Sequence, residues 1–133
     1  RRWQAVATQG MPHLVLRQGE RVMGYAYCQP FRPRLAYRHT LEDSIYMHPQ
    51  AMGQGWGRAL LSELMARAER AGGRQMVAVI GDSANLGSIG LHSALGFEHV
   101  GVLRSSGWKH GRWLDTVFMQ RSLGWGEDAP AQL

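Results

Sequence analysis

Residues 48–61 read HPQAMGQGWGRALL. Gly53, Gly55 and Gly57 alternate after a strand-like run that ends at Pro49, and an amphipathic run follows. A strand, a glycine loop and a helix start together make an anion site. The first amides of a helix have no partner inside it, the helix dipole favours negative charge there, and glycines let a ligand approach the backbone closely. Phosphate binding is the chemistry this pattern can support. A Walker loop needs GxxxxGK[ST], and no Gly-Lys is present. A dinucleotide fingerprint G-x-G-x-x-G begun at Gly53 meets Arg58 where its third glycine should stand, and Asp82 lies further on than a ribose-binding acid usually would. On the loop alone, a tight turn that binds nothing stays open as the alternative.

Other reactive residue types carry less. The lone Cys28 cannot close an internal disulfide, so a reducing, cytoplasmic setting is expected. It lies on a strand that reads as buried, where a cysteine is a small core residue rather than a nucleophile. His13, His39, His48, His99 and His110 lack the spacing of a metal site, and no metal is expected. The net charge of +5 could draw nucleic acid, an acidic lipid surface or a small polyanion. No basic stripe interleaved with aromatics accompanies it, so nucleic acid is not expected as a partner. No apolar run approaches the roughly 18 residues of a membrane span, and no membrane partner is expected.

These residues need elements to position them. A chain of 133 residues suits one domain. HLVLRQ (13–18) and RVMGYAYCQ (21–29) read as a β-hairpin around Gly19-Glu20. Residues 31–40, preceded by Pro30 and containing Pro33, read as a loop with one helical turn. LEDSIYMHP (41–49) alternates, with Leu41, Asp43, Ile45 and Met47 on one face and Glu42, Ser44, Tyr46 and His48 on the other. From Trp56 to Ala71 the period becomes helical, with Leu60, Leu61, Leu64, Met65 and Ala68 as the apolar stripe and Gly72-Gly73 as the stop. MVAVI (76–80) is a continuous apolar run, the mark of a strand buried on both faces. A second helix spans Asn85–Leu95, and residues 97–123 read as two long strands turning near Lys109-His110-Gly111. The order β-β-β-α-β-α-β-β makes an α/β domain with a mixed sheet, whose parallel step is the β-α-β unit from 41 to 80. Residues 124–133 read as a loose tail.

The run Met52-Gly53-Gln54-Gly55-Trp56-Gly57, following Met47-His48-Pro49, resembles the acyl-CoA loop [RQ]-x-x-G-x-[GA] of the GNAT N-acetyltransferase superfamily, with Met52 at the position of Arg or Gln. NLGSIGLHSALGF (85–97) resembles that superfamily's helix beginning in Asn and ending in Gly-Phe. Within it, GYAY (24–27), FRPRLAY (31–37), T-x-E-x-S-I-Y (40–46) and GWKHGRWLDTVFMQ (107–120) are similar to the phosphinothricin and methionine-sulfoximine N-acetyltransferases. The resemblance covers residues 1–123 as a single GNAT domain. It implies a mixed central β-sheet flanked by helices and lacking the family's first strand and first helix.

The resemblance implies acetyl-CoA as co-substrate and transfer of its acetyl group to the α-amine of a small amino-acid-like molecule, by direct attack in a ternary complex. Glu42 stands at the family's catalytic carboxylate, and Asp43 faces the other way. His92 replaces a tyrosine found near the CoA sulfur, where an imidazole could give a proton to the thiolate. The amides of Gly53, Gln54, Gly55, Trp56 and Gly57, with Arg58, would hold the pyrophosphate. Ile45, Tyr46 and Met47 would pair with the pantetheine arm like an added strand, and the Met47 amide would polarise the thioester carbonyl. Asn85 would bond the pantetheine, cap its helix, or both. The acceptor would be read by Leu35, Ala36 and Tyr37, flanked by Arg32, Arg34 and Arg38, one of which could meet a carboxylate. The family forms homodimers, and the apolar final strands suit one. Other readings are acetylation of a peptide N-terminus or polyamine, and a non-catalytic acyl-CoA-binding module.

Overall fold

The computed structural model describes residues 2–5, as backbone, and 11–131. Among these described residues seven strands form one sheet in the order β1-β2-β3-β4-β5-β7-β6: β1 Arg2–Ala5, β2 His13–Gln18, β3 Arg21–Pro30, β4 Thr40–Met47, β5 Gln75–Ile80, β6 Glu98–Lys109 and β7 Arg112–Ser122. Helix α1 spans Trp56–Arg70 and α2 spans Leu86–Ala94. The β4–β5 pairing is parallel and all others are antiparallel.

The expected elements stand, with Leu35–Tyr37 as the single helical turn of the β3–β4 connection. Strand β1 was not expected. It pairs with β2 at the edge of the sheet, and its four residues are too few to show a period, so the free edge of β2 decides its conformation. The segment after β7 is joined to the chain just before β5. Arg74 donates to the carbonyls of Gly126, Ala129 (2.9 Å) and Pro130 (2.7 Å), partners more than fifty residues away that no local pattern reveals.

Residues opposite each other across paired strands share a face. The pairs Gly24–Met47, Ala26–Ile45, Cys28–Asp43 and Pro30–Leu41 lie on one face, and Tyr25–Tyr46, Tyr27–Ser44 and Gln29–Glu42 on the other. Both helices cover the first face. A Cβ on Gly57 of α1 would stand 3.6 Å from Leu91 of α2 and 4.0 Å from Met47. All five stripe residues of α1 are buried there, each fully buried leucine contributing about 1.5–3 kcal/mol.

Strands β4 and β5 pair only from Thr40–Gln75 to Asp43–Ala78. Beyond that, β4 stays on β3 as far as Met47, and β5 stays on β7 as far as Ile80. The two central strands therefore part, leaving a wedge in the sheet. Val79, expected to be buried on a core strand, is 36% exposed because its neighbour has swung away.

Candidate active site

The glycine loop lies at the open end of the wedge. Gly53 and Gly55 take left-handed conformations, φ 77° and 76°, that cost any residue with a Cβ roughly 1–2 kcal/mol. Nothing stands within 4 Å of where a Cβ would be on either glycine. Gly55 caps α1 without a side chain, and no acidic residue occupies the first turn. The first amide bonded within the helix is that of Ala59, to Gly55 O at 3.2 Å, so those of Trp56, Gly57 and Arg58 have no earlier carbonyl to reach.

A cavity of about 310 Å³ opens on this loop, lined by Gly53, Gly55, Gly57 and Arg58, by Ile45 and Met47 of β4, and by Asn85. Expectation thus converges on one place for these seven residues. The lining also includes Ala51 and Met52 at the start of the loop, and Gly87, Ser88 and Leu91 of α2, which the loop pattern could not name because α2 meets the loop only through folding. Gln54 instead donates to Gln50 O at 3.0 Å, and neither it nor Trp56 lines the cavity. Asn85 caps α2, its side chain accepting from the Ser88 amide at 3.1 Å.

A second cavity of about 450 Å³ fills the wedge itself. Asp43, Ser44, Ile45 and Tyr46 form one wall, and Ala78 to Asp82 the other. Ser88 and His92 come from α2, and Lys109, His110 and Arg112 from the β6–β7 turn. Ile45, Asn85 and Ser88 border both cavities, so the glycine loop and the wedge communicate.

Glu42 lies one residue before the last β4–β5 pair, on the face away from the helices. It is half-buried. Burial pushes its carboxyl pKa up and the charge of Asp43 adds to this, while Arg32 pulls it down. Leu35, Ala36 and Tyr37 are exposed and line neither cavity. Arg38 donates to Leu35 O at 2.7 Å, and Arg32 lies over the Phe31 ring at 4.0 Å.

His92 and Asp43 are a buried pair, 1% and 5% exposed. His92 Nε2 lies 2.9 Å from Asp43 Oδ1, and Nδ1 lies 2.8 Å from Ser88 O. Both ring nitrogens are thus engaged with protein oxygens. Burial works against a charged ring, but the Asp43 hydrogen bond and charge outweigh it and lift the His92 pKa above its ordinary value. Sequence spacing gave no hint that residues 43 and 92 would meet. Cys28 is buried, its thiol pushed up to about 12 by burial and then by Asp43, which removes it as a nucleophile. Among the described residues no group of three or more His, Cys, Asp or Glu could hold a metal, and no helix is long and apolar enough to cross a membrane.

The profile of the Acetyltransferase (GNAT) family matches residues 1–97. The chain belongs to the GNAT family. This GNAT chain is 53% identical to a phosphinothricin N-acetyltransferase of Alcaligenes faecalis over 92% of its own length and 62% of the relative's. It is 45% identical to an L-methionine sulfoximine/L-methionine sulfone acetyltransferase of Pseudomonas paraeruginosa, over 96% of this chain and 74% of that one. Among solved structures, a phosphinothricin acetyltransferase from Sinorhizobium meliloti in complex with AcCoA superposes with a TM-score of 0.87 at 54% identity, covering 92% of this chain and 66% of that one. The chain therefore spans a little under two thirds of the length of these phosphinothricin acetyltransferases.

The residues present fit acetyl-CoA. The open, Cβ-free approach to Gly53 and Gly55, the unpartnered amides at the α1 start and the adjoining Arg58 suit a pyrophosphate. The unpaired edge of β4 beyond Asp43 suits an extended chain that carries amides.

Proposed function

We propose that the chain is an acetyl-CoA-dependent N-acetyltransferase acting on the α-amine of a small amino-acid-like acceptor of the phosphinothricin or methionine sulfoximine type. One observation carries the reading. The glycine loop borders the cavity that adjoins the wedge, and Glu42, a carboxylate with a raised pKa that lines neither cavity, stands on β4 one residue before the last β4–β5 pair, on the face away from the helices. When bound, acetyl-CoA supplies an acetyl group activated as a thioester. The amides of Trp56 and Gly57, with Arg58, hold its pyrophosphate, and Ile45 to Met47 and Asn85 hold its pantetheine arm. Met47 is the donor proposed for the acyl oxygen. Glu42, on the outer face, takes the proton that the acceptor ammonium must lose before its nitrogen can attack. Arg32, whose charge already acts on Glu42, is the cation we assign to the acceptor carboxylate, beside Leu35, Ala36 and Tyr37. With Cys28 buried and protonated, attack is direct and no acetyl-enzyme forms.

The test is thiol release from acetyl-CoA with a panel of amines that includes phosphinothricin, methionine sulfoximine, polyamines and a peptide N-terminus. Release with the amino-acid analogues above the other amines supports the reading, and no release with any acceptor removes it.

We further infer a homodimer. β6 is an edge strand whose Val100, Val102 and Leu103 are more than half exposed, as are Trp108 and Trp113 at the hairpin end, more apolar surface than a monomer commonly leaves in one place. Sedimentation at equilibrium checks it. The lone buried Cys28 suits a reducing, cytoplasmic setting.

A further inference from the structure

We propose that Asp43 and His92 form a single-proton clamp that fixes α2 against the closed end of the wedge, and that both are positioning residues for acetyl-CoA rather than proton donors to the reaction. This rests on the acetyltransferase reading above.

The hydrogen bonds determine the protonation. Ser88 O can only accept, so His92 Nδ1 carries a hydrogen. Nε2 faces a carboxylate oxygen at 2.9 Å. Two bare acceptors would repel at that distance in a buried site, so one proton lies between them. It makes either imidazolium with carboxylate or imidazole with carboxylic acid. In both forms every nitrogen-bound proton points at a protein oxygen, and neither is directed to a thiolate in the cavity.

The position of the clamp gives it its task. Asp43 pairs with Ala78 in the last rung before the strands part, so it marks the closed end of the wedge. His92 lies on α2, whose N-terminal end carries Asn85 and Ser88, two residues that border both cavities. Ser88 is also the residue whose carbonyl holds Nδ1 and whose amide is held by Asn85. The chain of bonds Asp43–His92–Ser88–Asn85 therefore runs from the end of the wedge to the residue assigned to the pantetheine. Phe97 packs at a right angle to the ring, with centroids 4.8 Å apart. Asp43 Oδ2 is buried with no partner, so only Oδ1 takes part in the clamp.

Asp43→Asn separates geometry from proton transfer. An asparagine amide can donate to a neutral Nε2 while Nδ1–H stays on Ser88 O, so the clamp survives without its mobile proton. Acetyl-CoA affinity is measured by calorimetry, and the KM for acetyl-CoA and kcat by thiol release. Asp43→Asn should keep all three within about threefold of the parent. His92→Leu should raise the Kd and KM for acetyl-CoA at least tenfold while kcat at saturation changes less than threefold, a split that lost stability alone does not produce. Should that variant not fold, Asp43→Ser, which shortens the partner and leaves the ring, takes its place with the same expectation. A tenfold fall in kcat for Asp43→Asn with acetyl-CoA binding intact would show that the pair's proton is used, and would overturn the proposal. Unchanged acetyl-CoA affinity in His92→Leu or Asp43→Ser would overturn it as well. A parent chain that binds no acetyl-CoA fails at a different step, and removes the acetyltransferase reading and this inference together.

Discussion

Tyr25 stacks on Tyr46 across the β3–β4 pair, with ring centroids 4.9 Å apart and planes 28° from parallel. Both rings lie on the face away from the helices, the face of Glu42. Tyr46 therefore serves two directions. Its backbone lies on the unpaired edge of β4 assigned to the pantetheine, while its ring, half exposed, faces the acceptor side. Replacing Tyr46 with Ala leaves that edge and removes the stacked surface. An aromatic pair contributes about 0.5–1.5 kcal/mol beyond its buried area. The acceptor KM should rise about three- to tenfold while the acetyl-CoA KM stays put, as read from two-substrate kinetics.

Glu42→Gln should lower kcat about a hundredfold, at the lower end of what a positioned base contributes, with acetyl-CoA affinity unchanged. In the parent the base must be ionised, so kcat/KM falls as pH drops through the Glu42 pKa, which burial and Asp43 hold above the ordinary carboxylate value. Arg32 opposes that rise. Arg32→Met should therefore move the acid limb of the pH profile to higher pH, and a limb that stays in place would count against Glu42 as the base.

Gly55 is left-handed and open toward the cavity. Gly55→Val adds a branched side chain at positive φ and narrows the approach to the α1 amides. It should destabilise the fold by about 1–2 kcal/mol and raise the Kd for acetyl-CoA at least tenfold. Chemical denaturation and calorimetry separate the two effects.

The His92 pair predicts a stability profile. Its folded-state pKa is raised, so the contribution of the charged ring is fully present below the unfolded value of about 6.5 and is lost as pH rises through the folded value. Asp43→Asn holds a neutral ring and lacks this contribution. The melting temperature of the parent should exceed that of Asp43→Asn most on the acid side, and the gap should close as pH rises through the folded-state value of His92. Parallel curves would contradict a charged ring.

Cys28 is 3% exposed with its thiol at about 12. Thiol reagents at pH 8 should leave it unmodified in the folded protein and label it fully in denaturant, as mass spectrometry would read. Rapid native labelling would mean that β3 opens.

By itself the sequence determined the elements from β2 onward and their faces. The alternation Leu41-Asp43-Ile45-Met47, the stripe Leu60-Leu61-Leu64-Met65-Ala68 and the glycines at 53 and 55 are local patterns, and local backbone geometry converts them directly into a strand face, a helix face and a helix start. The helix-start anion loop and the family resemblance were legible for the same reason. The tertiary structure alone decided what crosses the chain. The wedge exists because β4 and β5 stop pairing after Asp43–Ala78 while each keeps its outer neighbour, and residue types do not encode where pairing ends. Asp43, which alternation turned away from Glu42, found His92 forty-nine positions away, and Arg74 found the carbonyls of the tail. Such partners are chosen by packing and by the cost of leaving a buried polar group unpaired, a cost that arises only once the sheet and helices have met.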